Sequence, residues 1–250
     1  MDGHPNPPTI SFTKRVGQTE EKNAVRDFAL QCLNIMATDV DFTGHRLNIV
    51  LTRAQTGNTS GSLRTSLKPT MGGDYITDLS SVDLMVNIDF NGRDSYQNTI
   101  AHEMVHYVQY MTGALGGLAR RHGRSSVRFA LWNADAARVI NARTYTAADY
   151  MTEVHAPTAG ETMTINALTK GNETSTTQRL RNQSHASYMA QPWERQAHRL
   201  AAVISKVLGA GTEEGRQGAR KTIKTVISAK CKRFDSNGAA RVAGRRTVYW

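Results

Sequence analysis

The stretch that decides the fold is NTIAHEMVHYVQYM, residues 98–111. Its apolar residues recur three and four positions apart, which predicts a helix from about Ser95 to Thr112 with one buried face. His102 and His106 are four positions apart, so a helix places both imidazoles on one side, one turn from each other. The spacing therefore predicts that two ring nitrogens can converge on a single metal ion.

Zinc is the metal that this pattern favours. Imidazole nitrogen is a preferred ligand of Zn²⁺, and a catalytic zinc usually takes three protein ligands and keeps one position for water. Glu103 follows His102 directly, where its carboxylate can act as a general base toward such a water. A third protein ligand is then expected elsewhere in the chain.

Glu194 is the best-placed candidate for that third ligand. It lies in PWERQAH, residues 192–198, at the start of a predicted helix that ends near Leu208. An acidic residue in a first turn also has an ordinary explanation, which is a favourable interaction with the helix dipole. Other histidines remain as alternatives, namely His122, His155, His185 and His198.

The two motifs together resemble the zincin metallopeptidases that use a glutamate as third ligand, the gluzincins. HEMVHYVQ, residues 102–109, followed by PWERQA, residues 192–197, is similar to the small SprT-like and phage-encoded metallopeptidases, over roughly residues 20–205. The metzincins are excluded because Gln109 and Thr112 stand where that class needs Gly and His. The resemblance implies an α+β, zincin-like fold, with a small mixed sheet packed on the motif helix and additional C-terminal helices.

The resemblance also implies roles for individual residues. His102, His106 and Glu194 would hold Zn²⁺, and Glu103 would be the general base. Tyr188 would polarise a substrate carbonyl, although a partly buried aromatic residue explains it as well. His198, one turn after Glu194, is a candidate to hydrogen-bond a ligand or to stabilise an oxyanion, with an ordinary surface histidine as the alternative.

The remaining chain is predicted from its periodicity and its turn residues. Thr19 to about Thr38 is expected to be a helix, and both His45–Thr52 and 81–90 are expected to be strands. The strand at 82–90 is a candidate to bind a substrate peptide by strand addition. Two further expectations are a basic, Gly-containing loop over 114–128 and a helix from Phe129 to Ala142, with a long loop over 156–187.

The chain is predicted to divide into three parts. These are an exposed extended arm over 1–18, a metallopeptidase domain over 19–210, and a basic helical extension and tail over 211–250. Residues 210–250 contain ten Lys/Arg and three Asp/Glu, so they supply +7 of the formal net charge of +10. Such a surplus favours nucleic acid or another polyanion as a partner, and a basic surface that aids solubility is the alternative.

The environment is predicted from absences in the sequence. No apolar run approaches the length of a bilayer-spanning helix, and the first residues lack the pattern of a secretory signal. Cys32 and Cys231 are far apart and are expected to be free thiols. We therefore expect a protein of a bacterial cytoplasm or of a phage virion.

The leading functional hypothesis is zinc-dependent hydrolysis of a protein or peptide, with peptidoglycan cross-link peptides as a further substrate class. The alternative is a phage or prophage particle component, structural or DNA-associated, whose zinc site mainly holds the fold together. The basic region favours this alternative, which includes a role in virion assembly.

Overall fold

The computed structural model describes residues 4–13, 19–52, 61–88, 93–122, 125–153, 176–179 and 185–209. Seven strands occur in the described residues: β1 Thr9–Phe12, β2 Arg46–Thr52, β3 Gly61–Pro69, β4 Tyr75–Asn87, β5 Leu115–His122, β6 Ser125–Trp132 and β7 Thr176–Arg179. The helices are α1 Thr19–Met36, α2 Arg93–Met111, α3 Ala134–Glu153, α4 His185–Met189 and α5 Pro192–Gly209. The chain is thus an α+β protein, as expected from its sequence.

The strands form one mixed sheet in the order β1-β2-β4-β5-β6-β7, with β3 paired to β4 beside this path. β1, β2 and β4 are parallel, whereas β3, β5, β6 and β7 join by antiparallel pairing. Over its second half, β4 lies between β2 and β3. The strand proposed for substrate addition, residues 82–90, is therefore a central strand as far as Asn87, and that expectation is wrong, because its backbone groups are already paired on both sides.

The helices pack together beside the sheet and bury one continuous apolar core. The predicted amphipathic face of α1 is buried, as are the apolar residues Ile100, Met104, Val105 and Val108 of α2. α2 contacts α1, α5, β3 and β4, so it is the central element of the fold. Cys32 on α1 is a buried free thiol, and burial raises its pKa. No helix in the described ranges combines the length and apolarity that crossing a bilayer requires.

The expected loop over 114–128 is instead a β-hairpin formed by β5 and β6. One of the glycines that suggested a loop, Gly117, allows close packing between strands. A Cβ atom on Gly117 would lie 2.5 Å from Oγ1 of Thr77 on β4, so only glycine permits this close approach.

The helix expected from Phe129 begins later, because Phe129–Trp132 is the end of β6. Asn133 then caps α3: its side-chain oxygen accepts hydrogen bonds from the backbone N–H groups of Asp135 and Ala136. α3 continues without interruption to Glu153.

The segment expected as an exposed arm is extended, but part of it belongs to the fold. β1 pairs with β2 in parallel. His4 is buried, with its Nε2 atom 2.8 Å from the carbonyl oxygen of Ala37 and its ring against Phe42. The exposed arm is therefore wrong for these residues, since hydrogen bonds and ring packing fix them to the domain. The long loop over 156–187 and the extension over 211–250 lie outside the described residues, apart from β7 and the start of α4.

Candidate metal centre

Two helices supply the candidate ligands. His102 and His106 project from α2, one turn apart, and Glu194 lies in the first turn of α5. α2 and α5 pack against each other along their length. Residues that are nearly 90 positions apart in the sequence thereby come together, in the arrangement that the resemblance of the two motifs implies.

The three side chains bring four potential ligand atoms close together, namely two imidazole nitrogens and both oxygens of Glu194. Nε2 of His102 and Nε2 of His106 are 3.1 Å apart, and one oxygen of Glu194 lies 3.4 Å from the former while the other lies 3.3 Å from the latter. Ligand atoms at about 2.0–2.1 Å from a tetrahedral zinc are about 3.3–3.4 Å from one another. The spacing of the three groups therefore fits a single zinc ion.

Two buried polar atoms of this cluster support the same fit. Oε2 of Glu194 and Nδ1 of His102 are enclosed, and neither makes a well-aligned hydrogen bond within the described residues. Nε2 of His102 is 3.4 Å from this oxygen, and a cation held between the two groups would neutralise the enclosed carboxylate more completely than this long contact does. The donor set, two imidazoles and one carboxylate, is one that zinc takes in catalytic sites.

The cluster is largely buried, and its charges influence one another. Burial raises the pKa of Glu194, but its contacts with the imidazoles of His102 and His106 lower it more strongly, so this carboxyl group is ionised over the whole neutral range. Burial lowers the pKa of His102. Burial also opposes the charged form of His106, but its contacts with Glu194 and the nearby Glu103 raise its pKa overall.

Glu103 lies beside the cluster, as expected of a general base. Its side chain is buried, and burial raises its pKa, against the opposing effect of His106. The backbone N–H of Leu63 on β3 donates a hydrogen bond to its carboxylate. β3 therefore holds the orientation of Glu103 from the sheet side.

Tyr188 reaches the site from α4. It hydrogen-bonds Glu194 and remains 45% exposed, and burial of its hydroxyl together with the carboxylate raises its pKa. The hydroxyl is consequently protonated at neutral pH. Tyr110 of α2 is a second phenol whose pKa is raised by burial and by Glu194, and the sequence did not single it out.

His198 contributes a ring beside the site. Its centroid lies 4.3 Å from that of His102 at an interplanar angle of 53°, and it is exposed. It does not belong to the group of atoms that could share a metal ion, which consists of His102, His106 and Glu194. The side chains of the other alternative ligands, His122, His155 and His185, lie outside the described residues.

One feature of the site was missed at the level of sequence. Nδ1 of His106 is 2.8 Å from Oε1 of Gln109, which is completely buried. Gln109 follows His106 by three positions, and residues at this spacing face each other on a helix. The signal was therefore present in the motif, but a glutamine is not itself a ligand type that metal-site reasoning looks for.

Three comparisons with known proteins give no relative for this chain. No family model, no curated protein and no solved structure matches it.

Proposed function

We propose that this chain is a zinc-dependent peptidase in which His102, His106 and Glu194 hold Zn²⁺ and Glu103 is the general base. The observation that carries the proposal is the convergence of two imidazole nitrogens, 3.1 Å apart, with a carboxylate that places one oxygen 3.4 Å from His102 and the other 3.3 Å from His106, beside the buried carboxyl group of Glu103. The same arrangement favours the zincin-like assignment suggested by the two motifs.

The chemistry divides between the metal and the chain. When bound, Zn²⁺ supplies Lewis acidity and lowers the pKa of a coordinated water toward about 7. Glu103 accepts a proton from the attacking water, and its raised pKa favours holding that proton until the leaving amine takes it. The hydrogen bond from Leu63 fixes the carboxylate while the proton is transferred.

An extended peptide is the substrate that fits the neighbouring sheet. Among the described strands, β3 pairs only with β4, so no described strand occupies its other edge. The N–H of Leu63 points away from β4 toward Glu103. A peptide added along β3 would therefore pass beside the general base, which favours β3 over the central β4 as the docking strand.

Tyr188 and His198 have supporting roles in this proposal. The protonated hydroxyl of Tyr188 can donate a hydrogen bond to a substrate carbonyl oxygen and is exposed enough to meet it. The ring of His198 packs on His102, which favours orienting that ligand over direct contact with an oxyanion.

The substitution Glu103→Gln tests the proposal. It removes the base and keeps the size of the side chain, so we expect zinc content to remain at the wild-type level while hydrolysis of an unfolded protein substrate falls about 10²–10⁴-fold. Metal analysis and a peptidase assay on the same preparation measure the two effects. Undiminished hydrolysis by this variant would remove Glu103 from the mechanism and the proposal with it.

A second candidate function is a particle component or DNA-associated protein of a phage, with a zinc site that is mainly structural. The +7 charge of residues 210–250 favours it. Structural zinc sites usually have four protein ligands, whereas the described cluster has three with a buried carboxylate beside them. The metal centre therefore supports the peptidase more directly, in a host cytoplasm or in a virion.

A further inference from the structure

A row of buried amides lies behind His106. Gln109 on α2 and Gln196 on α5 are completely buried, and Asn141 on α3 is 4% exposed. Burying amide side chains is unfavourable unless their donors and acceptors are paired. Here they pair with one another and with backbone carbonyl groups of neighbouring segments.

The direction of each hydrogen bond follows from the two backbone carbonyl groups that the amides contact. Carbonyl oxygens only accept, so Nε2 of Gln109 must donate to the carbonyl of Trp193 at 3.0 Å, and Nε2 of Gln196 must donate to that of Ala137 at 2.8 Å. The same Gln109 nitrogen donates to Oε1 of Gln196 at 2.8 Å. Oε1 of Gln109 is then an acceptor, and its partner is Nδ1 of His106 at 2.8 Å.

We infer that Gln109, held by Gln196, is a positioning residue that fixes the proton of neutral His106 on Nδ1. A neutral imidazole carries a single N–H, so this tautomer leaves a lone pair on Nε2. That nitrogen is the atom that faces His102 and Glu194. The row of amides thus keeps the ligand atom of His106 in the state that binds a cation.

The row also relates the two helices that carry the ligands. Gln196 joins α5 to α3 through Asn141 at 2.7 Å, and Arg199 donates to the same Asn141 oxygen. Because Glu194 lies on α5 two residues before Gln196, the contacts that orient His106 also fix the side of α5 that faces α2. The Nδ1 atom of His102, by contrast, has no such partner in the described part of the chain, so His106 is the anchored imidazole of the pair.

Two substitutions at position 109 separate positioning from stability. Gln109→Met removes the acceptor of His106, whereas Gln109→Glu keeps an oxygen there. Both disturb the contacts with Trp193 and Gln196, so both should lower the free energy of unfolding. We expect Gln109→Met to lower the affinity for Zn²⁺ about 10–100-fold, in the range seen for partners of metal-bound histidines, and Gln109→Glu to lower it less than about tenfold.

The tautomer is read directly by ¹⁵N NMR of the histidine rings in the full chain, freed of zinc, at a pH where the imidazoles are neutral. The wild type and Gln109→Glu should show the proton of His106 on Nδ1, and Gln109→Met should show a mixture or the Nε2 form. The inference would be overturned if both variants lost zinc affinity equally and in proportion to their loss of free energy of unfolding. An unchanged tautomer in Gln109→Met would overturn it as well.

A substitution that leaves the contact between Gln109 and His106 in place serves if Gln109→Met does not fold. Gln196→Met removes one acceptor of Gln109 and leaves the carbonyl of Trp193 in place, so a smaller shift in tautomer and affinity is expected. If neither the tautomer nor the affinity shifts, the result counts against the inference.

The functional meaning of the row rests on the proposed zinc site, but the NMR result does not. A chain without peptidase activity could still show the fixed tautomer, so the two proposals fail separately.

Discussion

Glu194 is the residue on which the metal centre depends most. Its side chain is 4% exposed, and its two oxygens face the two imidazoles of α2. It is an ionised carboxylate that is stabilised by those rings and by a hydrogen bond from Tyr188. A divalent cation at this place would satisfy the carboxylate and both nitrogens at once.

Removing that carboxylate should abolish tight zinc binding. We expect Glu194→Ala to lose more affinity for Zn²⁺ than the about 10–100-fold that the loss of an outer partner costs, because both a ligand atom and a negative charge disappear. His198→Ala, one turn later on the same helix, removes a ring that packs on His102 but no ligand atom, so its loss of affinity should stay within about 10–100-fold. The zinc content of the purified variants measures both. Full zinc in Glu194→Ala would redirect the search for a third ligand to the histidines.

The charges of the site also predict how zinc binding changes with pH. In the metal-free protein the raised pKa of His106 means that its pairing with Glu194 contributes stability at lower pH and loses it as the pH rises through that pKa. The pKa of Glu194 is lowered, so the stability that its ionised form contributes is lost only as the pH falls through this lowered pKa. Zinc requires neutral imidazoles and therefore binds better as the pH rises.

We accordingly expect the Tm with zinc to exceed the Tm with a chelator by an amount that grows as the pH rises through the pKa values of the histidines, from about 6.5 upward. The proton on His106 competes with the metal up to a higher pH than an unperturbed histidine would. Thermal unfolding with and without zinc at several pH values measures the gain. A gain that is constant, or that increases on acidification, would contradict the proposed ligand set.

At the scale of elements, the sequence predicts the parts whose signals are local. α1, α2, α5 and β2 follow from the periodicity of apolar residues and from end signals such as Pro192, because these patterns reflect one buried face of one segment. The hairpin of β5 and β6 does not follow, since its stability comes from pairing with β4 and with each other. Gly117 illustrates the difficulty: alone it indicates a turn, but beside Thr77 it permits close strand packing.

The same distinction applies to the candidate site. His102 and His106 come from one helical turn and could be located from their spacing. Glu194 required the resemblance of a second motif, because the packing of α2 on α5 is not local. The role of Gln109 depends on the carbonyl of Trp193 and on Gln196, so it became visible only once the helices were assembled.

The contact between β3 and α2 gives a prediction for a single methyl group. A Cβ atom on Gly61 would lie 2.4 Å from Cγ2 of Thr99 and 2.9 Å from the carbonyl oxygen of Met85. We expect Gly61→Ala to lower the free energy of unfolding by about 1–3 kcal/mol through overpacking. If β3 docks the substrate, the displaced strand should also lower kcat/KM.

Gly72→Ala is the control for this prediction. Gly72 lies in the turn of the same β3–β4 hairpin, and a Cβ atom there would meet its nearest neighbour, Oγ1 of Thr70, only at 3.9 Å. Chemical denaturation and peptidase assays on both variants separate the effects. Equal stability of the two variants would show that β3 has room to move, and normal kcat/KM in a destabilised Gly61→Ala would argue against docking on β3.

At the scale of the whole molecule, charge and the metal centre occupy different parts of the sequence. All three candidate ligands precede residue 210, whereas residues 210–250 hold +7 of the net charge of +10. Two functions can therefore be tested independently. Substitutions in the basic region should leave zinc affinity unchanged if the ligands are the three that the described residues bring together.

Binding of duplex DNA is the property that the basic region predicts. Each phosphate neutralised by Lys or Arg releases counterions, so the affinity should fall with a log–log slope of about −0.9 per contact as salt is raised. Replacing Arg216, Arg220, Lys221 and Lys224 by Gln should weaken binding and make that slope shallower. Fluorescence anisotropy with the full chain over a series of salt concentrations measures both. Binding that is absent or insensitive to salt would leave the basic region as a solubilising surface. Tight, salt-sensitive binding by a protein whose hydrolytic activity does not depend on Glu103 would favour the particle component over the peptidase.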